Sequence, residues 1–189
     1  MGAALPPLSF RQQVHWFPMY ASYSRELKVK ETLDDLGVEC FIPMRYEMVD
    51  HQGERRRELV PAIHSLIFIH DTQERITGLK MYHRDCVALQ YMVRRPRLDT
   101  ESTEILTVPD AQMQHFIRVA TSYDDNIVYL DYSDFLHKEG KRVRVIDGNF
   151  TGVEGVIKRI KKNKIVVVLL DGVAAVAITH LPPRFLQLI

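Results

Sequence analysis

Cysteine is nearly absent. Cys40 and Cys86 are the two in 189 residues, and they form neither a CxxC pair nor a set with histidine at metal-ligand spacing. A disulfide scaffold and a zinc module are thereby excluded, and two free thiols in apolar surroundings suit a reducing cytosol. Long apolar runs are lacking too. Nothing approaches the roughly 20 residues of a membrane span, and the opening MGAALPPLSF has no basic region of the signal-peptide kind. Net charge is almost nil, with 25 basic residues against 24 acidic ones. The whole chain therefore has no general attraction for nucleic acid. Catalytic signatures are missing as well. The eight histidines contain no HExxH, and there is no GxSxG, P-loop or dinucleotide fingerprint. The expectation is a cytoplasmic protein that is not an enzyme, needs no cofactor, holds no metal and does not enter a membrane.

What is present is a core and an uneven charge. Hydrophobic residues make up 46% of the chain, enough for one large domain or two small ones. From Glu139 onward there are nine basic and four acidic residues, leaving 16 basic and 20 acidic before it. A mildly acidic body thus precedes a basic tail domain.

Residues 1–12 read as a loose tail. Val14 to Tyr23 is an aromatic-rich strand whose Pro18 suggests an edge or a bulge. Arg25 to Leu36 has helical spacing, with Gly37 closing it. Val38 to Asp50 is a second strand whose Pro43 suggests an edge or a break, and Glu54 to Val60 returns from a turn at His51-Gln52-Gly53 to make a charged hairpin. Ile63 to His70 is a dense, central strand, Thr72 to Tyr82 a short helix, Val87 to Val93 another strand and Ala111 to Thr121 a third helix. This order predicts an α+β domain over 13–121, an antiparallel sheet covered by helices. Residues 122–138 form a polar connector. From 139 to 189 the texture changes to five short strands, at 142–146, 156–160, 165–170, 174–178 and 186–189, the pattern of a small all-β barrel.

The stretch Val143 to Ile157, VRVIDGNFTGVEGVI, is a strand, a glycine-rich loop and a strand. It resembles the KOW motif. Trp16 with Tyr20, Phe41-Ile42-Pro43 and Leu66-Ile67-Phe68-Ile69 resemble the N-terminal domain of the NusG family of transcription elongation factors. The likeness runs from about residue 14 to the end, with two domain signatures in the family's order. Tyr23-Ser24-Arg25-Glu26 and the segment Phe41 to Glu47 are more similar to the specialised, operon-dedicated paralogues (RfaH-like, and especially UpxY-type) than to the housekeeping factor. The resemblance implies a NusG-type α+β domain followed by a five-stranded KOW, SH3-like barrel. It further implies antitermination at dedicated operons of the surface-polysaccharide kind. The housekeeping elongation factor, and an RNA- or ribosome-binding KOW protein, are the alternatives.

The same resemblance suggests where partners meet the chain. Trp16, Tyr20, Leu66 and Phe68 would line an apolar depression gripping the clamp helices of RNA polymerase, although strand aromatics of this kind are most often plain core. Arg25, Lys28, Arg94 and Arg95 would touch non-template or upstream DNA, although charge runs of this kind are usually just solvated. Phe150 and Leu170 would meet a ribosomal protein through the KOW domain. Asp171 and Val173 depart from the housekeeping pattern there, which favours a specialised paralogue.

Overall fold

The computed structural model describes residues 9–94, 103–130, 140–160 and 163–189. It divides into two compact units. One comprises Met1–Ile42 and Ser65–Thr107, the other Pro43–His64 and Val108–Ile189.

The first unit is built on a four-stranded antiparallel sheet. Its strands are β1 (Val14–Ala21), β2 (Glu39–Phe41), β5 (Leu66–Thr72) and β6 (Leu89–Tyr91), in the order β2-β5-β1-β6. Helix α1 (Glu26–Asp35) packs on β1 and β5, and α2 (Gln73–Tyr82) packs on β5. The reason lies in alternation. Phe17, Met19, Ile67 and Ile69 occupy the odd positions of β1 and β5 and have no exposed surface, and α1 contributes Val29 and Leu33, equally buried. Each such side chain is worth about 1.5–3 kcal/mol when taken out of water.

Polar groups tie the helices down. Glu26, buried in the first turn of α1, accepts a hydrogen bond from Ser65 N at 3.1 Å. Its negative charge also suits the helix N-terminus. Gly37, at φ 63°, ends α1 in a left-handed conformation that its missing side chain permits. Thr72 caps α2 by accepting from Arg75 N at 3.2 Å. Arg75 in turn reaches Asp71 at 2.9 Å and the Leu36 carbonyl at 3.0 Å, joining α2, β5 and the end of α1.

Pro18 does not mark an edge. β1 lies between β5 and β6. The proline is tolerated because the ladder to β6 runs only over Met19–Ala21, and at Pro18 only the carbonyl is used, accepting from Met92 N at 3.2 Å. A two-stranded ladder, β7 (Val93–Arg94) with β8 (Glu104–Ile105), completes this unit.

The second expected strand is two strands. After Phe41 the chain leaves the sheet at Ile42-Pro43, and β3 (Met44–His51) pairs only with β4 (Glu54–Pro61) in a separate hairpin. The Pro43 carbonyl accepts from Ala62 N at 2.8 Å and closes its base. The turn is Gln52-Gly53, so Arg55, Arg56 and Arg57 lie along β4.

The second unit also holds α3 (Asp110–Ala120) and a six-stranded antiparallel sheet. The strands are β9 (Ile127–Leu130), β10 (Arg142–Val145), β11 (Glu154–Ile160), β12 (Asn163–Leu170), β13 (Ala174–Ile178) and β14 (Leu186–Leu188), in the order β14-β10-β11-β12-β13-β9. The five expected strands are all there. The sixth, β9, comes from the predicted connector, where Ile127–Leu130 pairs with β13; residues 131–138 of that connector lie outside the described residues. The compact units therefore cut the chain differently from the expected division at 121 and 139. The cause is visible in α3. Its buried stripe of Met113, Phe116 and Val119 packs on β12 and β13 rather than on the four-stranded sheet.

Two contacts on β11 can be tested. Gly155 faces Val143, and a methyl group added there would lie 2.7 Å from the Val167 carbonyl oxygen and 2.9 Å from a Val166 methyl. Gly155→Ala should cost about 1–3 kcal/mol, read as a lowered urea midpoint with unchanged slope. Glu154 accepts from Arg144 at 2.6 and 3.0 Å, and this pairing holds its carboxyl below the ordinary value. The stabilisation is full above the unfolded carboxylate pKa of about 4.3 and is lost as pH falls through the depressed folded value. Glu154→Gln should flatten that part of the acid limb in pH-dependent unfolding.

Candidate functional site

The antiparallel register of β1 and β5 sets Trp16 against His70, Pro18 against Phe68 and Tyr20 against Leu66. All six therefore share one face of the sheet, opposite to Phe17, Met19, Ile67 and Ile69. The four residues expected to bind polymerase are thus brought together. They are not equally accessible. Trp16, Leu66 and Phe68 are buried, Phe68 completely, whereas Tyr20 is 47% exposed.

The buried members have partners. Trp16 stacks on His70 with ring centres 4.6 Å apart and planes 10° from parallel. His70 Nδ1 pairs with the Glu39 carboxylate at 2.6 Å, which sets the imidazole under the indole. Phe68 meets Phe41 of β2 at 6.4 Å between ring centres. The expectation that all four form an exposed depression is corrected in this respect: Tyr20 is the exposed member, at the end of the ladder where Leu66 begins β5.

The chain just after Tyr20 is unusual. Tyr23 and Ser24 both have positive φ, 64° and 53°. Non-glycine residues adopt this conformation at some cost. The turn leaves the Tyr23 ring 88% exposed. Gln90, which pairs with Tyr20 across β1 and β6, donates to the Ser22 hydroxyl at 3.3 Å and braces the turn. Arg25 is exposed at the N-cap of α1. Lys28 is exposed one turn later, held by Glu31 at 3.1 Å, and that hydrogen bond raises its pKa. Tyr23 was missed as a site residue. The alternation of Phe17, Met19 and Ala21 would put Tyr23 on the buried face, but the observed strand ends at Ala21 and the turn that follows points it outward.

Arg94 is on the β7–β8 ladder, where it pairs with Glu104 at 3.4 Å. Arg95 lies outside the described residues. Phe150 and Leu170, the residues expected to meet a ribosomal protein, are both buried. Phe150 faces inward because its turn is closed on both sides. Its carbonyl accepts from Val153 N at 3.0 Å, and the Gly148 carbonyl accepts from Thr151 N at 3.1 Å. Leu170 closes the β12–β13 ladder opposite Ala174.

Chemistry of the nucleophilic kind finds no support here. Burial pushes the half-buried Cys40 thiol up to about 11, and the buried Cys86 thiol is likewise raised. Both are protonated at neutral pH and poor nucleophiles. Among the described residues no cluster of three or more His, Cys, Asp or Glu could hold a metal, and no helix is long and apolar enough to cross a membrane.

What the first unit offers is a packed sheet presenting an exposed aromatic beside a basic helix start, the equipment of a macromolecular binding module. Residues 14–117 match the family model described as transcription termination factor nusG. That match covers more than half of the chain, which therefore belongs to the NusG family, a family of non-enzymatic transcription factors that bind RNA polymerase. The protein is accordingly a transcription elongation or antitermination factor in the general sense. No curated protein matches the sequence.

The burial contrast makes a stability prediction. Phe68→Ala should cost about 3–5 kcal/mol, as for other buried phenylalanines. Tyr20→Ala should stay within about 0.5 kcal/mol of the parent, as for exposed positions generally. Urea unfolding of the two variants checks both.

Proposed function

We propose that this protein is a specialised antitermination and processivity factor which grips the clamp helices of RNA polymerase through the Tyr20 end of its sheet face. The observation that carries the reading is the shared face of Trp16, Tyr20, Leu66 and Phe68. Three of these form a packed floor, and Tyr20 stands out of it as an anchor. Aromatic anchors on a rigid, well-packed base are what protein interfaces use to exclude water around a partner helix. A factor that prefers the closed clamp shifts the clamp population toward closure, and so suppresses pausing and termination.

Exposed DNA in the elongation complex would be met by Arg25, Lys28 and the projecting Tyr23. Arginine and lysine supply phosphate contacts, and an aromatic ring offers stacking to an unpaired base. Arg94 would add a further phosphate contact, its exposed pairing with Glu104 at 3.4 Å being one that a phosphate can displace. The near-zero net charge suits a protein positioned by polymerase rather than by free DNA. In this reading strands β10 to β14 are the KOW barrel. The ribosomal-protein contact expected at Phe150 and Leu170 draws no support from their burial. Specialisation, with surface-polysaccharide operons as the kind of target, rests on Tyr23-Ser24-Arg25-Glu26, on the Phe41 to Glu47 segment and on Asp171 and Val173.

Transcription in vitro with purified polymerase tests the proposal. The protein should shorten pauses and raise read-through of a terminator on a template carrying its own operon leader, and have little effect without it. Tyr20→Ala, still folded, should lose at least about tenfold in polymerase affinity, the scale of an interface hot spot. Full polymerase binding by that variant would sink the assignment of the face. Equal activity on any template would point to the housekeeping role.

A further inference from the structure

The two faces of the β3–β4 hairpin differ in character. Cross-strand partners share a face. Tyr46 with Leu59, Met48 with Arg57 and Asp50 with Arg55 make one face; Glu47 with Glu58, Val49 with Arg56 and His51 with Glu54 belong to the other. On the second face the carboxylates are engaged, Glu47 by Arg45 at 3.2 Å, Glu54 by Arg56 at 2.8 Å and Glu58 by His51 at 2.9 Å. The first face exposes Tyr46, Met48 and Leu59 between Arg55 and Arg57. Its Asp50 is turned into the loop, accepting from Gly53 N at 2.8 Å.

At the base of the hairpin is a cavity of about 220 Å³, lined by Tyr46 and Arg57 and, from the segment following α3, by Tyr123, Asp125 and Tyr129. The Arg57 guanidinium lies 4.5 Å from the centre of the Tyr46 ring. Tyr46 and Tyr123 meet edge to face at 5.7 Å. Tyr123 is held in a left-handed conformation, at φ 49°. Tyr129 donates to the Met44 carbonyl at 3.2 Å and fixes the wall. The cavity thus combines aromatic faces with a cation already placed over one of them.

We propose that this cavity seats one unpaired base of a single-stranded nucleic acid, stacked on Tyr123 with Tyr46 packed against its edge, while Arg57 and Arg55 hold the strand's phosphates along the exposed face of the hairpin. A base offers a flat π surface that a tyrosine can take without sequence selection, and the cation beside it matches the phosphate that every nucleotide carries. In a duplex that surface is hidden, so the site selects single strands. The space admits one base, and the arginine-bearing face continues from it toward the turn as a track. Asp125 opposes an incoming phosphate. It pairs with Arg57 at 3.4 Å from a position almost wholly in solvent, a weak contact that a phosphate can displace. Asp124 is already occupied, accepting from both the backbone and side-chain nitrogens of Asn126 at 2.8 Å. The proposal does not rest on the polymerase-binding face, and its test uses no polymerase.

The test is fluorescence anisotropy of the full chain with labelled 12-nucleotide single strands of one mixed sequence, as DNA and as RNA, and with the matching duplex. The single strands should bind in the micromolar range at low salt, more tightly than the duplex, and the two single-stranded arms tell which backbone is preferred. Tyr123→Ala should weaken binding about tenfold, the effect of losing one stacked base, while Tyr123→Phe stays within about twofold. Arg57→Gln should lower the salt slope by about one. Asp125→Asn should tighten binding by about two- to fivefold, a gain that misfolding cannot imitate. Photocrosslinking of a 5-iodouracil strand should label Tyr46 or Tyr123. No binding up to about 100 µM, the weak end of non-specific affinity, overturns the proposal. So does equal affinity of the parent and Tyr123→Ala, or crosslinking confined to other residues.

Discussion

The antiparallel register between β1 and β5 is the constraint on which the first unit depends. Side chains on a strand alternate faces, so a slip of one residue would exchange everything the two faces carry. As it stands, Phe17, Met19, Ile67 and Ile69 go to one side, where α1 and α2 pack on the strands. Trp16, Pro18, Tyr20, Leu66, Phe68 and His70 go to the other. The register is defended at both ends of β5. Glu26 holds the Ser65 backbone at the entrance, and Asp71 is tied to Arg75 and the Thr72 backbone at the exit. The core and the candidate binding face are two consequences of one alignment.

Charge is organised in the same local manner. The totals nearly cancel, but the cancellation is achieved residue by residue rather than by mixing at random. Lys30 holds Asp34 on α1, Arg45 holds Glu47 on β3, and Arg142 and Arg144 share Glu154 between β10 and β11. Exposed pairs of this sort contribute little to stability. Their effect here is on recognition. They consume carboxylates on some surfaces and leave others, such as the Arg55–Arg57 face of the hairpin and the start of α1, with cations near aromatic rings. A chain with no net attraction for polyanions can therefore still offer local ones.

Much of the fold was legible beforehand, for identifiable reasons. Short strands of β-branched and apolar residues between turn residues marked β10 to β14 to within a few residues, since each strand's two-residue period and its flanking glycine or asparagine are local properties. Pro43 signalled an edge or a break, and the break is what separates β2 from β3. Other features were not local. Pro18 read as an edge signal, yet it sits between two strands because its neighbour β6 is only three residues long. Ile127–Leu130 read as connector, because four residues carry no period of their own, and only β13 makes a strand of them. The stripe of α3 foretold burial without saying which sheet would bury it.

The candidate site divides along the same line. That Trp16, Tyr20, Leu66 and Phe68 belong to one surface was implied only by the family resemblance, and the β1–β5 register is what puts them there. Which of them would be reachable did not follow, because exposure is a property of what is packed around a side chain and not of the side chain itself. Tyr20 and Phe68 are equally aromatic in the sequence, and the folded protein leaves one half in solvent and closes the other away completely. Phe150 and Leu170 were taken inside for the same reason, by a turn closed through its own backbone and a ladder that ends on Ala174. The pocket at Tyr46 and Tyr123 belongs wholly to the tertiary level. Its two rings are separated by most of the α+β sequence, and only the return of the segment after α3 to the foot of the hairpin brings them together.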